Sequence, residues 1–127
     1  MKLHAIPVWT RGPKLAVYAL EVDGKSEVAD FLLKQRQADP LLYDRLIRIF
    51  LHIAREGISA GGQWFRQLRA WPGQWEIKQS RHRLLGFIHG GELVLCLYRL
   101  KQGQEPARQD LERVKRLMKA WCGAHET

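Results

Sequence analysis

Apolar positions along this chain follow two rhythms, and their order predicts its elements. Val17-Tyr18-Ala19-Leu20-Glu21-Val22 is rich in strand formers and reads as a strand closed by the turn Asp23-Gly24. Upstream, Ile6 to Trp9 is extended, and Pro7 and Pro13 restrict residues 1–13 to a tail or an edge strand. The rhythm then changes. Val28, Phe31 and Leu32 recur at i, i+3, i+4 and predict a helix running to about Gln37, with Ser26 as N-cap and Glu27 at its positive end. Asp39 caps a second helix and Pro40 suits its first position. Leu42, Leu46, Ile49 and Ile53 mark its buried stripe with Phe50 beside them, Arg45, Arg48, His52 and Arg55 its wet face, and Gly57 its stop. Two helices joined by a short turn form a hairpin whose apolar faces need a sheet to cover.

Residues 58–73 keep neither rhythm. Ser59-Ala60-Gly61-Gly62 reads as loop, Gln63 to Arg69 as a helical turn or irregular chain, and Pro72-Gly73 as a turn. Trp64, Trp71 and Trp75 suit the closing edge of a small core better than an aromatic platform for a base. Three strand-like runs follow: Trp75 to Lys78, His82 to His89, and Glu92 to Arg99. Gly90-Gly91 between the last two is a hairpin signal. After Gln102-Gly103-Gln104, Pro106 opens a last helix, with Leu111, Val114, Met118 and Trp121 as its buried positions. The pattern predicts an α+β fold of one domain, residues 1–127. It consists of an N-terminal strand, a helical hairpin, a three-stranded antiparallel meander completing the sheet, and a C-terminal helix.

Composition narrows the class. With 127 residues, 46% apolar and 27% charged, the chain is long enough for one core and is not of disordered type. It has no apolar run near the ~20 residues of a membrane span and no signal-peptide pattern, so a cytoplasmic location away from membranes is expected. Cys96 and Cys122 suit reduced thiols, Cys96 as a small core residue, and their spacing does not suit zinc. No metal-like cluster or cofactor motif is seen. Charge changes the picture more. The net charge is +8, and from Arg66 to Lys119 there are 12 basic and 5 acidic residues, so nearly all the excess lies in the C-terminal part. Such segregation points to a polyanionic partner, nucleic acid or ribosome.

Three segments in this order resemble the RelE/ParE superfamily of bacterial toxins, in its HigB-like, phage-derived branch. Gly24-Lys25-Ser26-Glu27-Val28-Ala29-Asp30-Phe31-Leu32 is similar to the family's strand–Gly–acid–helix opening. Trp75-Glu76-Ile77-Lys78 and His82-Arg83-Leu84-Leu85 are similar to its Trp-Glu-Leu-Arg and Tyr-Arg-Ile-Leu strands. Leu100-Lys101-Gln102-Gly103-Gln104-Glu105-Pro106 is similar to its Lys-Lys-x-x-Lys-Thr-Pro segment. The resemblance covers about Tyr18 to Trp121. Lys78 stands where the family usually has Arg, His82 where Tyr is common, and Leu100, Gln104 and Glu105 replace two lysines and a threonine.

The resemblance implies a RelE-like fold. It also implies a toxin that cuts messenger RNA in the ribosomal A site without a metal, by attack of a ribose 2′-OH on the adjacent phosphorus. Its partners would be messenger RNA, the ribosome and a cognate antitoxin of helix-turn-helix type, and the free chain would be a monomer or weak dimer. Such chemistry needs a base at the 2′-OH, cations on the phosphoryl oxygens and an acid at the leaving oxygen. Arg83 is the expected phosphate clamp, because a guanidinium is always charged and offers paired donors. Lys78 is a second cation, Lys101 a cation or proton carrier, His82 a proton carrier near neutral pH, and Tyr98 a stacking or proton-donating group. Arg81, Arg99, Arg108, Lys115 and Lys119 are the expected RNA-binding residues. Because neighbours on a strand point to opposite faces, His82 and Arg83 cannot serve one site on a regular strand. Two other readings share these residues: a ParE-like gyrase inhibitor, and a non-catalytic module of the same fold that binds nucleic acid or a partner.

Overall fold

The computed structural model describes residues 1–8, 12–60 and 62–124. The elements run β1 (Leu3–Pro7), β2 (Ala16–Val22), α1 (Glu27–Ala38), α2 (Pro40–Glu56), a 3-10 turn (Gly57–Ala60), β3 (Phe65–Gln67), β4 (Gln74–Gln79), β5 (His82–His89), β6 (Glu92–Leu100) and α3 (Arg108–Ala124). One six-stranded mixed sheet has the order β1-β2-β6-β5-β4-β3. All neighbours pair antiparallel except β2 and β6, which are parallel (Ala16 opposite Glu92, Ala19 opposite Leu95). The class is therefore α+β. The helical hairpin, the β4–β5–β6 meander and the C-terminal helix stand where the pattern places them.

The differences lie where the pattern is weak. The N-terminal extended segment is the edge strand β1, so two strands precede the helices. Residues 9–11 of that segment, Trp9 included, lie outside the described residues, as does Gly61 of the expected loop. Gln63 to Arg69 is not helical: it holds β3, which pairs with β4 and makes the meander four-stranded. A three-residue strand is too short to show a period, which is why it reads as irregular chain. On α2, Phe50 rather than Ile49 is fully buried, and on α3 the buried set is Leu111, Val114, Leu117 and Trp121, with Met118 only half-buried. Leu46, Phe50 and Ile53, and Val114, Leu117 and Trp121, keep the three- and four-residue spacing of one face, so each helix buries the expected side and only one member of its stripe changes.

Local chemistry explains the element ends. The Ser26 side chain accepts from the Ala29 N–H at 3.2 Å, and Asp39 from the Leu42 N–H at 3.2 Å. Gly57 closes α2 at φ +69°, a conformation that favours glycine. The two faces of the sheet each carry a core. Val17, Ala19, Leu84, Leu93, Leu95 and Ile77 pack under α1 and α2 with Val28, Leu46, Phe50 and Ile53. Leu20, Leu85, Phe87, Val94 and Leu97 pack under α3 with Leu111, Val114 and Trp121. A bulge between β5 and β6 shifts the register: Leu85 faces Leu97, but Gly86 faces Leu95. Cys96 is the extra residue, and both it and Leu97 join the α3-side core. The alternation thereafter puts Tyr98 on the hairpin side and Arg99 on the α3 side.

Candidate functional site

Register places a basic row across three strands. Lys78 on β4 is opposite Arg83 on β5, and Arg83 is opposite Arg99 on β6. Directly opposed strand residues share a face, and here it is the α3 face. Beside the row lies a cavity of about 240 Å³, bordered by Arg83, Arg99, Lys101, Glu76, Glu105 and Asp110 among others. Lys101 follows the end of β6, its N–H bonded to the Arg81 carbonyl at 2.8 Å, so its exposed side chain emerges at the rim.

The cations of this site differ in how far carboxylates already occupy them. Arg99 is clasped from two sides: Nη1 lies 2.5 Å from Glu27 at the start of α1, and Nη2 lies 3.2 Å from Asp110 on α3. Burial would lower its pKa, but these carboxylates outweigh that and raise it. Arg66 of β3 bonds Glu76 at 2.9 Å and Glu105 at 3.1 Å, which raises its pKa. Arg83 is different. Its Nη1 donates to the carbonyls of Ser80 (2.8 Å) and His82 (2.9 Å), and among the described residues no carboxylate pairs with it. These bonds aim the guanidinium and leave its charge uncompensated. Lys78 and Lys101 likewise have no ion pair among the described residues.

His82 and Tyr98 sit on the opposite face. His82 Nδ1 is 2.7 Å from the Tyr98 hydroxyl, and Tyr98 stacks on Phe31 of α1 with ring centroids 3.7 Å apart. Burial lowers the pKa of His82, helped by Arg81 and Arg83, against a smaller pull from Asp39. Burial raises that of Tyr98. The five candidate catalytic residues therefore divide: Arg83, Lys78 and Lys101 gather at the α3 face, while His82 and Tyr98 pack against the helical hairpin. Of the expected RNA-binding residues, Arg81 is exposed in the β4–β5 turn and Arg99 is held by its two carboxylates. Arg108 pairs with Glu112 at 3.1 Å, and Lys115 and Lys119 line a second cleft along α3.

Sequence reasoning missed the carboxylates that organise this face. Glu76, Glu105 and Asp110 converge from β4, the β6–α3 loop and α3, and no spacing in the chain announces that meeting. Glu27 is legible in part: its place at a helix start is, but not that it also accepts the N–H of Tyr98 at 3.0 Å, on β6 beyond its last pairing with β2 (Ala19 opposite Leu95). Among the described residues no three His, Cys, Asp or Glu side chains are grouped to hold a metal ion, and no helix is long and apolar enough to cross a membrane. Neither the protein-family models nor the curated proteins contain a match to this chain.

Proposed function

We propose that this chain is a toxin-type endoribonuclease of the RelE/ParE kind, acting on ribosome-bound messenger RNA and restrained by an antitoxin. One observation carries the reading: Arg83 stands at the centre of an in-register cation row, with its guanidinium fixed by two carbonyls and no carboxylate among the described residues paired with it. A fixed, uncompensated fork of donors at the mouth of a cleft suits a phosphodiester, whose transition state gathers charge on the equatorial oxygens.

The chemistry uses groups of the α3 face. The 2′-oxygen forms a bond to phosphorus and the bond from phosphorus to the 5′-oxygen breaks, giving a 2′,3′-cyclic phosphate and a 5′-OH. Arg83 and Lys78 hold the phosphoryl oxygens. The 2′-OH proton passes to Glu105, which pairs with Arg66 but is 68% exposed, whereas Glu76 (3%) and Asp110 (12%) are buried in their ion pairs. Lys101 at the rim gives its proton to the leaving oxygen. An acidic antitoxin segment laid over the cation row would block substrate and explain the segregated charge.

The separation of His82 and Tyr98 from this face favours one alternative, in which the row binds RNA without cutting it. Induced expression in a bacterial host, with primer extension on an abundant messenger, tests both. The expected result is growth arrest with in-frame cuts, both reduced roughly 10²–10³-fold by Arg83→Ala, the usual cost of removing one transition-state donor. RNA binding without cuts establishes the binding module. Arrest with intact messenger and broken DNA points to gyrase. Cuts unchanged in Arg83→Ala refute the assigned site.

A further inference from the structure

Gln74 opens β4 and is 1% exposed, yet among the described residues its side-chain oxygen has no hydrogen-bond partner. Its amide nitrogen donates to the Leu111 carbonyl of α3 at 2.9 Å. That bond fixes the rotamer and the orientation of the amide, since only the NH2 end can face a carbonyl. A buried acceptor left unmade is costly and calls for a partner. Gln74 also lines a cleft of about 560 Å³ between α3 and the turn before β4. The other walls include Trp71, half-buried, and three cations, Arg108, Lys115 and Lys119.

This cleft is not isolated. It shares Ala70 and Trp71 with a middle cleft that contains Arg66 and Arg69, and the middle cleft shares Glu105 with the cavity beside Arg83. Three adjoining clefts thus lie beside α3 between the cation row and Lys119. We propose that their far end is a nucleotide subsite. A base that stacks on the Trp71 ring parts the wall that closes over the Gln74 oxygen and gives it an N–H, while Lys115 and Lys119 bind the flanking phosphates of a single RNA strand that crosses Arg83. An acceptor in a dry wall, an aromatic face and a border of ammonium groups match the three parts of a nucleotide: base edge, base plane and phosphate. The inference rests on the reading of the Arg83 row as an RNA site and extends it to a second contact.

Equilibrium binding of the full chain tests it, with a fluorescent 12-nucleotide single-stranded RNA and a 3-nucleotide RNA as probes. Lys115→Ala/Lys119→Ala, both exposed, are expected to weaken the long probe about tenfold and leave the short one unchanged, as loss of two phosphate contacts predicts. Scanning one abasic position along the long probe should find a position costing about tenfold, the scale of one stacked base. Tryptophan quenching by the long probe should shrink in Trp71→Phe. Arg83→Ala should weaken both probes. If Arg83→Ala weakens both and the lysine pair changes neither, the far subsite is wrong and the cation row stands. If the lysine pair acts and Arg83→Ala does not, the row is wrong and the subsite stands. Equal quenching in Trp71→Phe overturns the stacking assignment.

Discussion

His82 shows how one residue's neighbours decide its chemistry. It begins a strand on the hairpin side, bonded to Tyr98 and near the Phe31 ring, so its neutral form fits the site. The folded pKa lies below the ordinary 6.5, with burial as the main cause. The unfolded chain then binds the proton more readily. The contribution to stability is full above pH 6.5, declines as pH falls below it, and levels off once the folded value is passed. An NMR titration of the imidazole should give a midpoint under 6.5, and a value above it would show that the Tyr98 contact favours the cation. The sequence already held part of this answer. Strand alternation separates His82 from Arg83, and that separation is what the structure shows. What alternation could not reveal is that Arg99 would be claimed by Glu27 and Asp110, since those contacts span 72 and 11 residues and depend on where two helices land.

Among the elements, β5 and β6 depend on a glycine. A Cβ at Gly86 would meet the Val94 carbonyl oxygen at 2.1 Å and the Leu95 Cα at 2.9 Å, both backbone. Neither atom can move without parting the strands. Gly86→Ala is therefore expected to cost about 1–3 kcal/mol or more, read as a lower urea midpoint with an unchanged slope. A midpoint within error of the original would mean that the bulge relaxes freely. The same bulge sets the site. Were Cys96 paired in a regular strand instead of bulged, the alternation along β6 would put Arg99 under the hairpin and Tyr98 on the α3 face. Helices and long strands were legible because repeated apolar spacing reports a buried face directly. The bulge and β3 were not, because one inserted residue or a three-residue strand leaves no period to read.

At the scale of the molecule, charge becomes affinity. Lys78 and Arg83 of the row and Lys101 at its rim have no ion pair among the described residues, and Arg99 is already neutralised. Three phosphate contacts on a single strand predict a slope of log affinity against log salt near about −2 for a short RNA, with Arg83→Ala reducing its magnitude by about 0.7. A slope near zero would remove the phosphate reading. The net +8 is legible in composition, but composition counts Arg66 and Arg99 equally with Arg83. Only the folded arrangement separates cations spent on the protein's own carboxylates from those left for a partner.

The parallel seam between β2 and β6 joins residues 76 positions apart, such as Ala16 and Glu92, with both hairpin helices and strands β3 to β5 lying between them in the chain. Such non-local pairing closes late and slowly, because the entropy of the intervening loop must be overcome before the contact returns anything. During synthesis β2 therefore emerges with one edge waiting for a strand made near the end. The cation row, whose third member lies on β6, is completed only after that strand has been made. A ribosome producing this protein thus carries an unfinished cation surface until nearly all of the chain has been made, and an anionic partner of the row meets only the completed chain.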